Sequence, residues 1–240
     1  MTKKIKNLIW LLPYNWRKSA FKILYREKSK RYRIKLKGED VNGTSFTGFV
    51  KHSTIFVHIP KAAGLSVNRS LFGNNGGGHI PLRNYQFIFD KDKFNSYFKF
   101  SIVRNPWDRL YSAYSFLNNG GLTDNDKIFA AKYVTGYADF DSFVKGSVNQ
   151  VNIMKGIHLI PQYLFLTDSN GNLLTDYVGK FENLNEEYKL ITEKLNIVSK
   201  LKKTNKSRRG TDYKDFYTAE SKAIVAEVYK KDIELFNYSF

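Results

Sequence analysis

The sequence predicts an α/β fold, a three-layer sandwich with a central parallel sheet flanked by helices. Two strand–turn–helix units carry that expectation, "STIFVHIPKAAGLSVNRSLF" and "FKFSIVRNPWDRLYSAYSFL". Amphipathic patterns toward the end of the chain add helices to cover the sheet. At 240 residues the chain suits one domain with a sizeable core.

From the amino terminus, residues 1–37 read as a basic amphipathic arm. Ile5, Leu8, Ile9 and Leu12 fall at helical spacing, and Trp16, Ala20, Ile23 and Leu24 repeat the stripe after Pro13. The longest apolar run, "LIWLLPY", is far short of the ~20 residues that span a bilayer, and no small-residue cleavage site follows it. Two roles stay open for the arm. It lies on an anionic membrane surface with Trp10 and Trp16 at the interface, or it packs its stripe on the body with its charges in water. Residues 38–52 read as a linker or hairpin, and residues 53–240 as the main domain.

The main domain opens with a buried strand around 53–59 that Pro60 stops, followed by the helical pattern "GLSVNRSLF". A helix N-terminus offers unpaired N–H groups and about half a positive charge to an anion. Ala62, Ala63 and Gly64 allow close approach to that backbone. Lys61 adds a full charge, Leu65 follows in the first turn, and Ser66 adds a hydroxyl. GxxxxGK[ST] occurs nowhere in the chain, so the loop is P-loop-like without being a Walker A sequence. Any tight strand-to-helix connection uses similar residues, so the second unit is what gives the first its meaning. There, Phe98 to Val103 form a strand, Asn105 is an N-cap and Pro106 suits the first helical position. Arg104 sits at the strand end, where open α/β sheets place ligands. Ser112 lies two turns into the helix, and together with Arg104 it suits a second phosphate. The alternative pairs Arg104 with a local acid such as Asp108. Further along, "YLFLTDSNGNLLTDYVGKF" predicts one or two strands around an Asn-Gly turn, and "NEEYKLITEKL" and "AESKAIVAEVYKKDIELF" predict helices.

Charge is concentrated. The net +17 is held as +12 in residues 1–37 and +6 in "KLKKTNKSRR" (200–209), which leaves the rest near neutral. No recognisable reading element carries that charge, so nucleic acid is not expected as a partner. There is no cysteine, hence no disulfide and no thiolate metal site.

The two units together resemble the carbohydrate sulfotransferases that use 3′-phosphoadenosine 5′-phosphosulfate (PAPS). The closest group is that of the heparan and chondroitin O-sulfotransferases and their bacterial relatives. "FVHIPKAAGLS" is similar to the family's 5′-phosphosulfate loop and "FSIVRNPWDRLYSAYSFL" to its 3′-phosphate strand, turn and helix. The family loop has Thr where this chain has Ala62, and often Thr at Leu65; Lys61, Gly64 and Ser66 match. Looser likeness runs through "GGHIP", "IPQYLFL" and "VGKFENLNEEY" to the carboxyl end, covering about residues 53–240.

The resemblance implies in-line sulfuryl transfer from PAPS to a glycan hydroxyl without a metal. Lys61, Ala62, Ala63, Gly64, Leu65 and Ser66 would bind the phosphosulfate, and Arg104 and Ser112 the 3′-phosphate. Lys61 would also stabilise the leaving oxygen. A comparable loop of the family holds a catalytic His, which implies His79 as base. His58 reads either as a buried structural residue or, lining the same cleft, as an alternative base, and Glu182 as an outside candidate, while His52 and His158 receive no role. The basic segment at 200–209 reads either as a lip over the nucleotide or acceptor or as a solvated loop. It suits an acidic glycan, and a membrane-held arm suits a lipid-linked one. A cytoplasmic location, peripheral on the inner membrane face, is the matching expectation. The competing classes are a P-loop-like kinase or nucleotidase using ATP and a nucleic-acid-binding protein.

Overall fold

The computed structural model describes residues 8–38, 42–202 and 212–240. Ile5 of the predicted stripe and most of the basic segment at 200–209 therefore lie outside the described residues.

The amino-terminal arm is helical. A 3-10 turn (Ile9–Leu11) precedes α1 (Tyr14–Leu24) and α2 (Arg26–Lys37), which ends on the left-handed Gly38. Pro13 directly precedes α1, where its fixed φ and missing N–H cost the helix nothing. Only part of the stripe read from the sequence meets the body: Ile9 is buried and Leu12 and Ala20 pack against the core, while Leu8, Trp16, Ile23 and Leu24 are exposed. Tyr14, Arg17 and Phe21 turn inward. Phe21 is buried and stacks on Phe87 at 4.4 Å and on Tyr32 at 5.8 Å, and Arg17 donates to Gln86 at 2.6 Å. Trp10 packs on Phe87 with the Arg83 guanidinium over its ring, so only Trp16 of the two tryptophans faces outward. In the segment read as linker, α3 (Thr47–Lys51) forms and buries Phe49, and Phe46 just before it is also buried.

The sheet has three strands, all parallel, in the order β1 (Thr54–Val57), β2 (Phe98–Val103), β3 (Tyr177–Lys180). Phe56 pairs with Phe100, and Phe100 with Tyr177. All four residues of β1 are buried, which accounts for its continuous apolar, β-branched and aromatic run. Between β1 and β2 come α4 (Gly64–Phe72), a 3-10 segment (Leu82–Phe87) and α5 (Lys91–Ser96). After β2 comes α6 (Pro106–Asn118), which Asn105 caps by accepting from the Trp107 amide at 3.1 Å. Leu110, Ala113 and Leu117 are buried in a stripe along it, and Tyr114 is half-buried. That stripe packs with residues of α7 (Asp124–Tyr133) and α8 (Phe140–Ser147) into an apolar cluster separate from the one around the sheet.

One predicted strand is a helix. "YLFL" forms α9 (Tyr163–Leu166), and the Asn-Gly turn beyond it closes only an isolated antiparallel bridge, Thr167 to Leu173. The reason is remote in sequence. Both carboxylate oxygens of the fully buried Asp232 accept from the Gln162 and Tyr163 amides at 2.8 Å. That caps a helical turn where local propensity favours extension. The last elements are α10 (Leu184–Leu195), α11 (Ala219–Val228) and α12 (Lys230–Phe236). The final predicted helix breaks at Tyr229, whose hydroxyl donates to the Leu159 carbonyl at 2.7 Å. Among the described residues no helix is long and apolar enough to cross a membrane.

Candidate active site

The carboxyl ends of β1 and β2 lead directly into the two predicted anion-binding turns, on the edge where parallel sheets hold ligands. After β1 the chain runs through Pro60 to Ala63 and enters α4. Lys61 (φ 68°) and Ala63 (φ 57°) both take left-handed backbone conformations. Such a conformation in a residue other than glycine costs on the order of 1–3 kcal/mol and is held only by its surroundings. Ala63 is the N-cap of α4 and provides no side-chain acceptor for the helix's first amides. Ala62 is buried, whereas Leu65 and Ser66 are half-buried at the helix start. The loop therefore has the geometry of an anion cradle.

Three interactions fix that loop. His58 is buried and packs against Gly64 so closely that any β-carbon there would overlap its ring. Arg104 donates through Nη1 to the Lys61 carbonyl at 3.0 Å. Arg109, 1% exposed, donates to the Pro60 carbonyl at 3.1 Å and to the His158 and Ile160 carbonyls at 3.2 and 2.8 Å. A buried guanidinium thereby ties the loop to the segment before α9.

Arg104 is itself buried. It grips Asp108 through Nε and Nη2, each at 2.7 Å, and lies over the Phe181 ring at 4.1 Å. The local-acid pairing foreseen from the sequence is therefore present. Asp108 and the buried Ser112 follow at four-residue steps, so all three belong to one face of the turn and α6. Gln162 clasps the backbone of Arg104 from both sides, accepting from its amide at 2.9 Å and donating to its carbonyl at 2.8 Å. Glu182 is committed elsewhere. It accepts from the Asn105 amide at 2.6 Å and the Tyr238 hydroxyl at 3.0 Å, which makes it a brace of the β2–α6 turn.

His79 comes to the end of β1 from the glycine-rich loop. Its Nδ1 lies 2.9 Å from the His58 carbonyl oxygen. A carbonyl only accepts, so Nδ1 carries the proton and Nε2 keeps its lone pair. Burial lowers its pKa. The His58 carbonyl and Asp126 oppose that shift, while the charges of Arg109 and Lys61 reinforce it. His58, deeper in, is pushed well below the ordinary value by burial and by the two neighbouring imidazoles.

The residue that sequence reading passed over is His158. Its ring centroid is 6.2 Å from that of His79 and 4.8 Å from that of Phe116, which in turn carries the Lys61 ammonium 4.0 Å above its face. His158 donates through Nε2 to Asp126 at 2.9 Å. Burial nevertheless lowers its pKa to about 4 against the pull of that carboxylate. Asp126 is held below the usual carboxylate range: burial opposes this, but the Leu122 amide, the Thr123 contact and His158 outweigh it. Lys61, Phe116, His158 and His79 thus line one continuous surface. No local pattern around "GIHLIPQ" announces this, because the partners come from α6, α7 and the loop after α4. His52 stands apart, packing near Phe72 at the end of α3.

A cleft of about 510 Å³ opens at the His158 side, lined by Asp126, Phe129, Lys132, Tyr133 and Lys155 among others. A larger cleft of about 610 Å³ lies at the opposite, amino-terminal ends of β2 and β3, against Lys194 and Asp176. It is remote from both anion-binding turns.

A model of the sulfotransferase family matches residues 45–239. No curated protein and no solved structure matches the chain significantly.

Proposed function

The chain belongs to the sulfotransferase family, and from that premise we propose that it moves the sulfuryl group of PAPS onto a glycan hydroxyl, with His79 as the general base. The observation that carries the reading is the bond from His79 Nδ1 to the His58 carbonyl at the mouth of the phosphate loop. It leaves Nε2 as a proton acceptor beside Lys61. In the reaction the acceptor oxygen bonds to sulfur and its proton passes to Nε2. The bond from sulfur to the 5′-phosphate oxygen breaks, leaving 3′-phosphoadenosine 5′-phosphate and a sulfate ester. Charge grows on that leaving oxygen, where Lys61 and the first-turn amides of α4 supply preorganised positive potential.

The residues at the turns fit the donor. Two anion sites on consecutive strand ends match its two charge centres, and Arg104 with Ser112 serves the 3′-phosphate by sharing the Arg104 fork with Asp108. The cleft beyond His158 supports a sugar acceptor. Tyr133 and Phe129 line it, and Lys132 and Lys155, which lie over the Tyr133 ring, favour an acidic glycan.

A melting experiment tests the donor. Saturation with 3′-phosphoadenosine 5′-phosphate at a hundred times its Kd should add ~2.7 kcal/mol of apparent stability. Stabilisation by ATP alone would overturn the assignment. Transfer of radiolabelled sulfate from PAPS to acidic and neutral oligosaccharides then tests the acceptor.

A further inference from the structure

The arm's first helix has two apolar faces, and only one is used. Tyr14, Arg17 and Phe21 meet the body, so the stripe that includes Trp16 and Ile23 is left outside. Trp16 is 68% exposed and Ile23 74%. Seven residues apart, they lie two turns from one another on the same face of α1. Leu8 and Leu11, just before the helix, are 56% and 80% exposed. Isolated exposed apolar residues need no explanation, but a tryptophan and an isoleucine on one helix face next to two leucines form a patterned surface.

The surroundings of that face are cationic. Lys18 and Lys22 are exposed on α1, and Arg26, Lys30 and Arg33 are exposed along α2. The only acid in residues 1–37 is Glu27, against a net +12. An outward Trp beside aliphatic side chains, flanked by Lys and Arg, is the composition of a helix that lies in a lipid interface. The arm also falls outside the segment matched to the sulfotransferase family.

We propose that the outer face of α1 docks the protein on an anionic membrane surface, with Trp16 and Ile23 entering the headgroup boundary and the arm's Lys and Arg residues facing the lipid phosphates. The docking does not depend on which donor or acceptor the site uses.

The test uses the full chain with vesicles of phosphatidylcholine alone or mixed with phosphatidylglycerol. Cosedimentation should show binding to the anionic vesicles at low salt and release as salt rises, with at least about tenfold weaker binding to the neutral ones. Trp107 is buried and Trp10 half-buried against Phe87, so the part of a blue shift and of quenching by brominated lipid that Trp16→Ser removes would report Trp16. Trp16→Ser combined with Ile23→Ser changes only exposed side chains and should keep the wild-type melting temperature. It should weaken vesicle binding by about tenfold or more. Lys18→Glu with Lys22→Glu should weaken binding to anionic vesicles alone. Three results would each overturn the proposal: no binding at low salt, equal binding to neutral vesicles, or unchanged binding by the serine pair. Concentration-dependent self-association that disappears in the serine pair would also overturn it, because the face would then belong to a second copy.

Discussion

The imidazole of His58 occupies the space where a β-carbon on residue 64 would stand. One contact thus joins the first residue after β1 to the first residue of α4. His58 also presents the carbonyl that orients His79. Gly64→Ala should therefore displace His58 and cost about 1–3 kcal/mol in denaturant unfolding, with loss of turnover beyond the loss of stability. Gly136→Ala, with nothing within 4 Å of the added carbon, should stay within about 0.5 kcal/mol of wild type. Equal effects at the two positions would remove His58 from the argument.

Replacement of His79 separates binding from chemistry. His79→Ala should keep donor affinity and lower turnover by ~10²–10⁴. Glu182→Gln retains an acceptor for the Asn105 amide and should turn over within a few-fold of wild type. Because burial lowers the His79 pKa, the rate should rise with pH through an apparent pKa below the ordinary 6.5 of the free side chain and stay flat above it. A wild-type profile still rising above neutrality would point to a different base.

Arg104 has a structural and a binding task, and a double mutant distinguishes them. Arg104→Ala leaves Asp108 partly buried without its fork, so stability and donor affinity should both fall, affinity by about ten- to a hundredfold. Adding Asp108→Ala should recover stability but not affinity. The affinity loss should shrink with a nucleotide that lacks the 3′-phosphate. An equal loss with both nucleotides would place Arg104 elsewhere.

His158 should leave a mark on the stability-versus-pH curve. Its folded pKa of about 4 lies below the unfolded 6.5, so the unfolded chain binds the proton more readily between these values. Its contribution is complete above about pH 6.5 and is lost as pH falls toward 4, by about 3 kcal/mol. His158→Gln lacks that dependence, so the stability gap between wild type and variant should narrow across this window. Denaturant titrations at pH 7 and pH 4.5 measure it. A gap that widens on acidification would mean that the pair with Asp126 stabilises the charged imidazole.

The two strand–turn–helix units were legible in the sequence because each is local. A buried β-branched run, a Pro or Asn-Pro stop and a helical stripe lie within twenty residues, and the parallel sheet follows from repeating them. Lys61, Gly64 and Arg104 could be named from the same stretches. The helical form of Tyr163–Leu166 could not, because it depends on a carboxylate about seventy residues away. The outward turn of Trp16 and Ile23 was also hidden, since helical periodicity shows that an apolar stripe exists but not which of two stripes meets the body. His158 depended on tertiary structure most of all. Its neighbours Asp126, Phe116 and His79 come from separate elements, and only the packing that buries them together lowers its pKa and makes it part of the site.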